Sequence, residues 1–243
     1  MKIVGIIPSR YGSSRFPGKA LALIKGKPMI EHVFMRASEC ERLTDIWIAT
    51  DDRSIKSCVE EFGGKVIITK KEHPTGTDRI SEAARYLKLS PSDIVVNIQG
   101  DQPLFKGKVL NLLIDSMLNN PSIQMSTLIY RIRDQREIDD RNCVKVVMDL
   151  NGFAIFFSRS PIPFYRDREI DRIYYKHLGF YAYRMDFLKR YPTLPRGRLE
   201  VAESLEQLRA IENGIKIKVV ESPSDSYEVD TPQDIEKIER LLS

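Results

Sequence analysis

Two stretches of this 243-residue chain carry residues of the kinds that handle phosphate and metal ions. The first is Pro8-Ser-Arg-Tyr-Gly-Ser-Ser-Arg-Phe-Pro-Gly-Lys19, where Arg10, Arg15 and Lys19 stand among glycines and serines. Small residues let backbone N–H groups turn toward an anion, and Arg and Lys add charge-assisted hydrogen bonds. The glycine spacing fits neither a Walker A loop nor a G-x-G-x-x-G fingerprint, so a basic phosphate cradle of another kind is expected. The second is Asp101, near the end of Asp93-Ile-Val-Val-Asn-Ile-Gln-Gly-Asp-Gln-Pro103. Its carboxylate could meet a ligand beyond a strand end or simply cap a turn, and Gly100 permits a close backbone approach.

Strands must place both stretches. Ile3 to Ile7 read as a buried strand ahead of the basic loop, and Ile94, Val95, Val96 and Ile98 as another ahead of Asp101. Between them the pattern alternates. Pro28 to Cys40 form a helix with Ile30, Val33, Phe34 and Ala37 on one face, and Thr44 to Thr50 a strand. Ser54 to Phe62 follow as a helix capped by Asp51-Asp52, then Val66 to Ile68 as a short strand. A helix begins within Thr75-Gly-Thr-Asp-Arg79, with Thr77 or Asp78 as cap, and its free N–H groups could also hold a ligand. This alternation predicts an α/β fold, a right-handed, doubly wound, mostly parallel sheet with ligands at the carboxyl ends of its strands.

After a helix from Lys108 to Leu118 the period changes. Met125 to Ile132, Cys143 to Asp149 and Phe153 to Ser158 are strand-like, with Asn151-Gly152 as a hairpin turn. Tyr174 to Arg184 is aromatic and carries His177 and Gly179. A smaller β-rich lobe over roughly 125–183, within one domain of 1–243, is expected to lean over the parallel part. Leu199 to Asn213 reads as one helix closed by Gly214, which would put Glu200, Glu203 and Glu206 on one side. Ile215 to Val220 form a strand, and Asp230 reads as an ordinary helix-start residue before a helix running to Leu242.

A formal charge of +4, from 38 basic and 34 acidic residues, is mild, and the basic residues form no arm or stripe. Nucleic-acid binding is therefore not expected. Cys40, Cys58 and Cys143 are an odd number without metal-ligand spacing, so reduced thiols in the cytoplasm are expected. The N-terminal apolar run is too short for a signal segment, and no later one is long enough to span a bilayer.

The ordered set of motifs is more specific than any one of them. It comprises Ile7-Pro-Ser-Arg-Tyr-Gly-Ser-Ser-Arg-Phe-Pro-Gly-Lys19, Gly26-Lys-Pro-Met-Ile30, Thr50-Asp51, Gly76-Thr-Asp-Arg79 and Asn97-Ile-Gln-Gly-Asp101. Val144-Lys-Val-Val147, Phe157-Ser-Arg-Ser-Pro-Ile-Pro163, His177-Leu-Gly179, Leu205-Glu-Gln-Leu-Arg209 and Val229-Asp-Thr-Pro232 complete it. Nearly end to end, the chain resembles the 3-deoxy-manno-octulosonate (Kdo) cytidylyltransferases of the nucleotide-sugar cytidylyltransferase group. The resemblance implies a nucleotide-diphospho-sugar transferase-like fold and a cytoplasmic homodimer. The implied reaction joins CTP and Kdo to give CMP-Kdo and pyrophosphate, with Mg²⁺, for lipopolysaccharide biosynthesis.

Carried over by motif, Asp101 and Asp230 would hold the metal. Arg10, Arg15 and Lys19 would hold the triphosphate, with Arg15, Lys19 and Asp101 catalytic. Gly76, Thr77 and Arg79 would sit near the cytosine or ribose, and Gln99, His177, Tyr181, Glu200 and Glu203 would read the sugar. The chain departs from the family pattern at five places. Gln102 stands where Glu is common, Ala20 where Pro is, Ser9 where Ala is, Glu228 where Gly is, and Arg198 where Pro or Lys is frequent. Gln102 and Arg198 fall on the presumed sugar side, which leaves an 8-amino-Kdo or sialic-acid-like acceptor open. A non-catalytic nucleotide-binding homologue is the alternative of another class, and the retention of both carboxylates and all three cations speaks against it.

Overall fold

The two β-branched runs lie side by side: β1 (Ile3–Ser9) pairs in parallel with β6 (Ile94–Asn97), Ile6 opposite Asn97. The basic loop and Asp101 therefore leave the sheet at the same end, next to each other. In this computed structural model, residues 1–12, 15–167 and 169–242 are described. Ser13 and Ser14 of the basic loop lie outside them.

The first half alternates as the sequence implies. After β1 come a small hairpin, β2 (Leu23–Ile24) and β3 (Lys27–Pro28), then α1 (Met29–Ala37), β4 (Asp45–Thr50), α2 (Arg53–Glu61) and β5 (Lys65–Ile68). α3 (Gly76–Tyr86), β6 and α4 (Val109–Leu118) follow. The Asp52 carboxylate caps α2 by accepting from the N–H groups of Ser54 and Ile55. α3 is capped two to three residues earlier than expected, by the Thr75 hydroxyl accepting from Asp78 N–H, so Thr77 and Asp78 lie inside the helix.

The second half contains β7 (Met125–Arg131), α5 (Arg136–Asp139), β8 (Lys145–Met148), β9 (Ala154–Ser158), β10 (Tyr175–Arg184) and α6 (Met185–Arg190). α7 (Arg198–Glu203), α8 (Leu208–Glu212), β11 (Ile217–Glu221) and α9 (Pro232–Leu241) complete the chain. The order across the sheet is β11-β7-β10-β6-β1-β4-β5. β10 runs antiparallel between β6 and β7, and the other neighbours on this path are parallel. The strands of 125–183 thus continue the central sheet, and β8 and β9 extend from β10 as the antiparallel, β-rich part.

Apolar helix faces cover both sides of the sheet, as a doubly wound fold requires. Ile30, Val33, Ile55, Val59 and Leu113 of α1, α2 and α4 fill one core. Ile80, Ala83, Phe187 and Leu208 of α3, α6 and α8 fill the other. A third cluster joins Ile24, Met29, Val229 and Ile238. It anchors α9 beside the start of the chain and so fixes the residue after Val229, which is Asp230.

The stretch 199–213 is not one helix. It breaks at Ser204, which takes a left-handed φ of 51°. Glu200, Glu203 and Glu206 consequently point to three different partners rather than to one face.

Candidate active site

The sheet order reverses beside β1, with β4 on one side and β6 on the other, and α/β folds bind ligands at such a point. Here the loops after β1 and β6 approach so closely that a Cβ on Gly100 would lie 2.5 Å from the Pro8 carbonyl oxygen. Only glycine fits there, as the sequence suggests.

Asp101 receives its counterpart from the far end of the chain. Tyr227 N–H donates to the Leu104 carbonyl (2.9 Å) and Val229 N–H to that of Asp101 (2.8 Å). This short antiparallel ribbon sets Asp230 beside Asp101. The Asp230 N–H is in turn held by the Asp234 carboxylate (3.0 Å), which also closes the capping box of α9 with Thr231. Lys19 Nζ lies between the two acids, 2.7 Å from Asp101 Oδ2 and 3.8 Å from Asp230 Oδ1, and it donates to the Val229 carbonyl (3.1 Å). Arg15 pairs with Asp230 at 2.7 Å.

Oxygens that converge on one ammonium also converge enough to share a cation. Among the described residues no three His, Cys, Asp or Glu cluster as a complete metal site. Mg²⁺ asks for less, since one or two carboxylates suffice when phosphate and water supply the rest. Asp101 and Asp230 fit that requirement.

Two clefts meet at this centre. The smaller, about 270 Å³, is lined by Ser9, Arg10, Lys19, His73, Gly76 and Arg79, and the larger, about 530 Å³, by Gln102, Cys143, Lys176, His177, Gly179 and Glu228, among others. Arg15, Gln99, Asp101 and Asp230 line both. The cavity has two compartments with the carboxylate pair at their junction. That arrangement suits transfer of a group between two bound molecules.

In the smaller compartment Gly76 opens α3 and lines the cavity together with Arg10, Arg15 and Lys19 of the basic loop. Arg79 is 3% exposed and is held by Asp51 (3.1 Å), the Thr69 hydroxyl (2.5 Å) and the Lys70 carbonyl (3.2 Å). It fixes the wall more than it offers a free charge. Thr77 is a correction. It is buried behind the first turn, against Tyr183 and Glu206, and lines neither compartment.

In the larger compartment Gln99 donates to the Gly179 carbonyl at 2.6 Å. His177 lies 2.9 Å from the Thr127 hydroxyl, which itself donates to the Phe180 carbonyl (2.6 Å). The hydroxyl therefore accepts from His177 Nε2–H, and Nδ1 keeps its lone pair. Burial pushes the imidazole down to about 3, so His177 is neutral near pH 7.

Three expected sugar contacts fall elsewhere. Tyr181 is 7% exposed and packs between His177 and Tyr183 in the core. Glu200 is 2% exposed and takes a two-pronged ion pair from Arg209 (2.6 and 2.8 Å) with Arg196 at 3.1 Å. Glu203 accepts from the Ser158 hydroxyl (2.6 Å) and Arg159 N–H (2.9 Å), tying α7 to β9. Neither acid lines the two compartments, nor does Arg198.

His73, Lys176, Asp234 and Glu228 line the cavity without having been singled out as ligands from sequence. Only Glu228 carried a signal, as a departure two residues before Asp230. Its partial enclosure by the cleft wall, and then the charges of Asp101 and Asp230, raise its carboxyl to about 7.

Glu206, in the stretch between α7 and α8, accepts from Thr75 Oγ1 at 3.1 Å and lines neither compartment. Burial raises it from the ordinary 4.5 to about 7, against the opposing hydrogen bonds of Thr77 and Thr75. A carboxyl raised in the folded state contributes stability below its unfolded value and loses it as pH climbs through the folded one. Glu206→Gln should therefore stabilise the protein at pH 8 by about 1–3 kcal/mol and by much less at pH 5. Denaturant unfolding at the two pH values checks this, and equal effects at both would contradict it.

A cytidylyltransferase family model matches residues 4–217. The chain is 50% identical over 242 residues to a 3-deoxy-manno-octulosonate cytidylyltransferase of Desulfatibacillum aliphaticivorans, covering 100% of this chain and 99% of that one. It is 52% identical over 244 residues, with the same coverage, to an 8-amino-3,8-dideoxy-manno-octulosonate cytidylyltransferase of Shewanella sp. (strain W3-18-1). Among solved structures, a CMP:2-keto-3-deoxy-manno-octonic acid synthetase complexed with CTP superposes with a TM-score of 0.94 at 42% identity, covering 100% of this chain and 98% of that one. A 4-diphosphocytidyl-2C-methyl-D-erythritol synthase, at a TM-score of 0.66 and 14% identity over 100% of this chain and 99% of the other, shares the fold.

Proposed function

The chain belongs to the cytidylyltransferase family, and from that premise we propose that it activates Kdo with CTP, giving CMP-Kdo and pyrophosphate. The observation that carries this reading is the meeting of two compartments at Asp101, Asp230 and Arg15, with Lys19 Nζ between the two acids. CTP occupies the smaller compartment, with its triphosphate on Arg10, Arg15 and Lys19 and its nucleoside toward Gly76. The acid occupies the larger, near Gln99 and His177.

The Kdo anomeric oxygen attacks the α-phosphorus, the bond to the bridging oxygen breaks, and pyrophosphate leaves on the opposite side. Such a transfer needs positioning and charge stabilisation more than covalent help. Asp101 and Asp230 would hold Mg²⁺, which when bound neutralises phosphate charge and orients the α-phosphate. Arg15 and Lys19 take up charge on the departing pyrophosphate. Neutral His177, donating through Nε2 to Thr127, presents Nδ1 as an acceptor for an acid hydroxyl.

The protein is further read as a cytoplasmic homodimer serving lipopolysaccharide biosynthesis. Free Cys40, Cys58 and Cys143 support the reducing compartment. Among the described residues no helix is long and apolar enough to cross a membrane. Leu150, Ile155, Phe164 and Ile170 are exposed apolar residues within the 125–183 stretch, which supports that stretch as the self-association surface and as the sugar side of the molecule. Sedimentation as a monomer at micromolar concentration would overturn the dimer.

The test is pyrophosphate release from CTP with a panel of ulosonic acids. Relatives of near-equal similarity are named for Kdo and for its 8-amino derivative, so the panel holds both. CTP should also protect the fold, by about 2.7 kcal/mol at one hundred times its dissociation constant, and more than ATP, GTP or UTP at the same concentration. Thermal shift with the four nucleotides checks the base-selective compartment, and equal protection by all of them would exclude it.

A further inference from the structure

The β10 strand is irregular where it passes the larger compartment. From His177 to Tyr181 it advances four residues while β7 advances two, from Ile129 to Thr127, so a bulge lies between them. Gly179, at φ +78°, turns the backbone there. Three successive carbonyls of the bulge each accept from a side chain. Gln102 Nε2 donates to Leu178 (2.9 Å), Gln99 Nε2 to Gly179 (2.6 Å) and Thr127 Oγ1 to Phe180 (2.6 Å). The regular pairing of β10 with β6 ends at Tyr181 opposite Asn97, and the two glutamines continue the link with side chains.

The packing around this link is close. A Cβ on Gly179 would lie 3.3 Å from Gln99 Cγ and 3.4 Å from Gln102 Nε2, so both glutamines meet the bulge at one point. Each contact fixes its amide, because a carbonyl oxygen only accepts. Gln102 is 6% exposed and its Oε1 is buried without a partner. Among the described residues the Leu178 carbonyl is the one hydrogen bond its amide makes. Position 102 is also one of the departures from the family pattern. An ionised glutamate there would have no proton to give, and the Leu178 carbonyl would face a second acceptor.

His177 opens the bulge. Its backbone N–H donates to the Val144 carbonyl (2.9 Å), and its ring packs against Phe157 and Tyr181. Thr127 accepts the Nε2 proton only while its own proton stays on the Phe180 carbonyl, at the far end of the bulge. The tautomer of His177 therefore depends on the shape of the bulge, and that shape on the donors to its carbonyls.

We propose that Gln102 is a positioning residue for the acid acceptor: by holding the Leu178 carbonyl it keeps the bulge in the form that fixes His177 with Nδ1 as the free acceptor. This rests on the reading of the larger compartment as an ulosonic-acid site.

The experiment compares the parent with Gln102→Met, which keeps length and removes the donor, and with Thr127→Val, which frees the other end of the bulge. Initial rates with CTP, Mg²⁺ and Kdo or 8-amino-Kdo, whichever the parent turns over faster, give kcat and KM. Ring nitrogen NMR of the ligand-free proteins reports the His177 tautomer. The chain has three histidines, and a His177→Gln protein assigns the signal. Circular dichroism checks folding, and Gln102→Asn, whose amide stops one methylene short, replaces the methionine variant if that one does not fold. The parent should show neutral His177 as a single tautomer protonated at Nε2. The variants should lose that single form and raise the KM for the acid about tenfold, with the KM for CTP unchanged. A raised KM beside an unchanged His177 signal makes Gln102 a direct contact of the acid and overturns the inference. An unchanged KM overturns it as well and leaves the cytidylyltransferase reading standing. A parent that turns over neither acid overturns both.

Discussion

Asp101→Asn should lower turnover on the order of 10³-fold while the protein stays folded, and Asp230→Asn should behave alike. Both carboxylates converge on a single point, marked by Lys19 Nζ at 2.7 and 3.8 Å. Each change keeps shape and volume and removes one negative charge. With Mg²⁺ proposed at this pair, losing one of its carboxylates should forfeit several kcal/mol of transition-state charge stabilisation, and about 1.4 kcal/mol corresponds to each tenfold in rate. The fold does not need that charge. Asp101 is partly exposed, and Lys19 keeps the Val229 carbonyl and Asp230 as partners when Asp101 is neutral. Turnover with rising Mg²⁺, beside a denaturation curve, separates the two effects. The variants should need more Mg²⁺ and remain slow when saturated. An Asp101→Asn protein within a few-fold of the parent at saturating Mg²⁺ would remove the pair from the reaction.

The parallel half of the sheet was legible because its strands are continuous β-branched runs bounded by Gly, Pro and Asp, a signal that needs no knowledge of distant residues. The same holds for the basic loop and for Gly100, whose Cβ-free backbone meets Pro8. What the sequence concealed depends on long-range pairing. Asp230 looks like any helix-start residue until the 227–230 segment is laid on 101–104. The stretch 199–213 has helical spacing and no Gly or Pro, so nothing local announces the left-handed turn at Ser204. Glu200 then looks like a solvated carboxylate, although Arg209, nine residues later, folds back to bury it. Tyr181 follows His177 by four residues and would share its face in a regular strand. The register shift between them, with Gly179 at φ +78°, directs the tyrosine into the core instead.

Lys19→Ala should reduce turnover on the order of 10²–10³-fold, the effect expected when one fixed stabiliser of transition-state charge is lost. Lys19 is largely enclosed, with a side-chain exposure of 16%, and its ammonium stands where the two compartments join. Pyrophosphate gains charge as it leaves, and an ammonium on a four-carbon stem can follow that charge. A guanidinium is a wider, planar fork, so Lys19→Arg should recover little. The competing role is structural, in which Lys19 merely keeps Asp101 and Asp230 from repelling each other. The two roles differ in what Mg²⁺ does. If Lys19 only neutralises the acids, its removal should strengthen the demand for a cation there, and Mg²⁺ should bind more tightly while restoring turnover. If Lys19 stabilises the leaving pyrophosphate, saturating Mg²⁺ should leave kcat low, with the KM for the acid acceptor unchanged. Paired titrations of Lys19→Ala with Mg²⁺ and with acceptor distinguish them, and recovery of kcat at high Mg²⁺ would assign Lys19 to holding the carboxylates rather than to the chemistry.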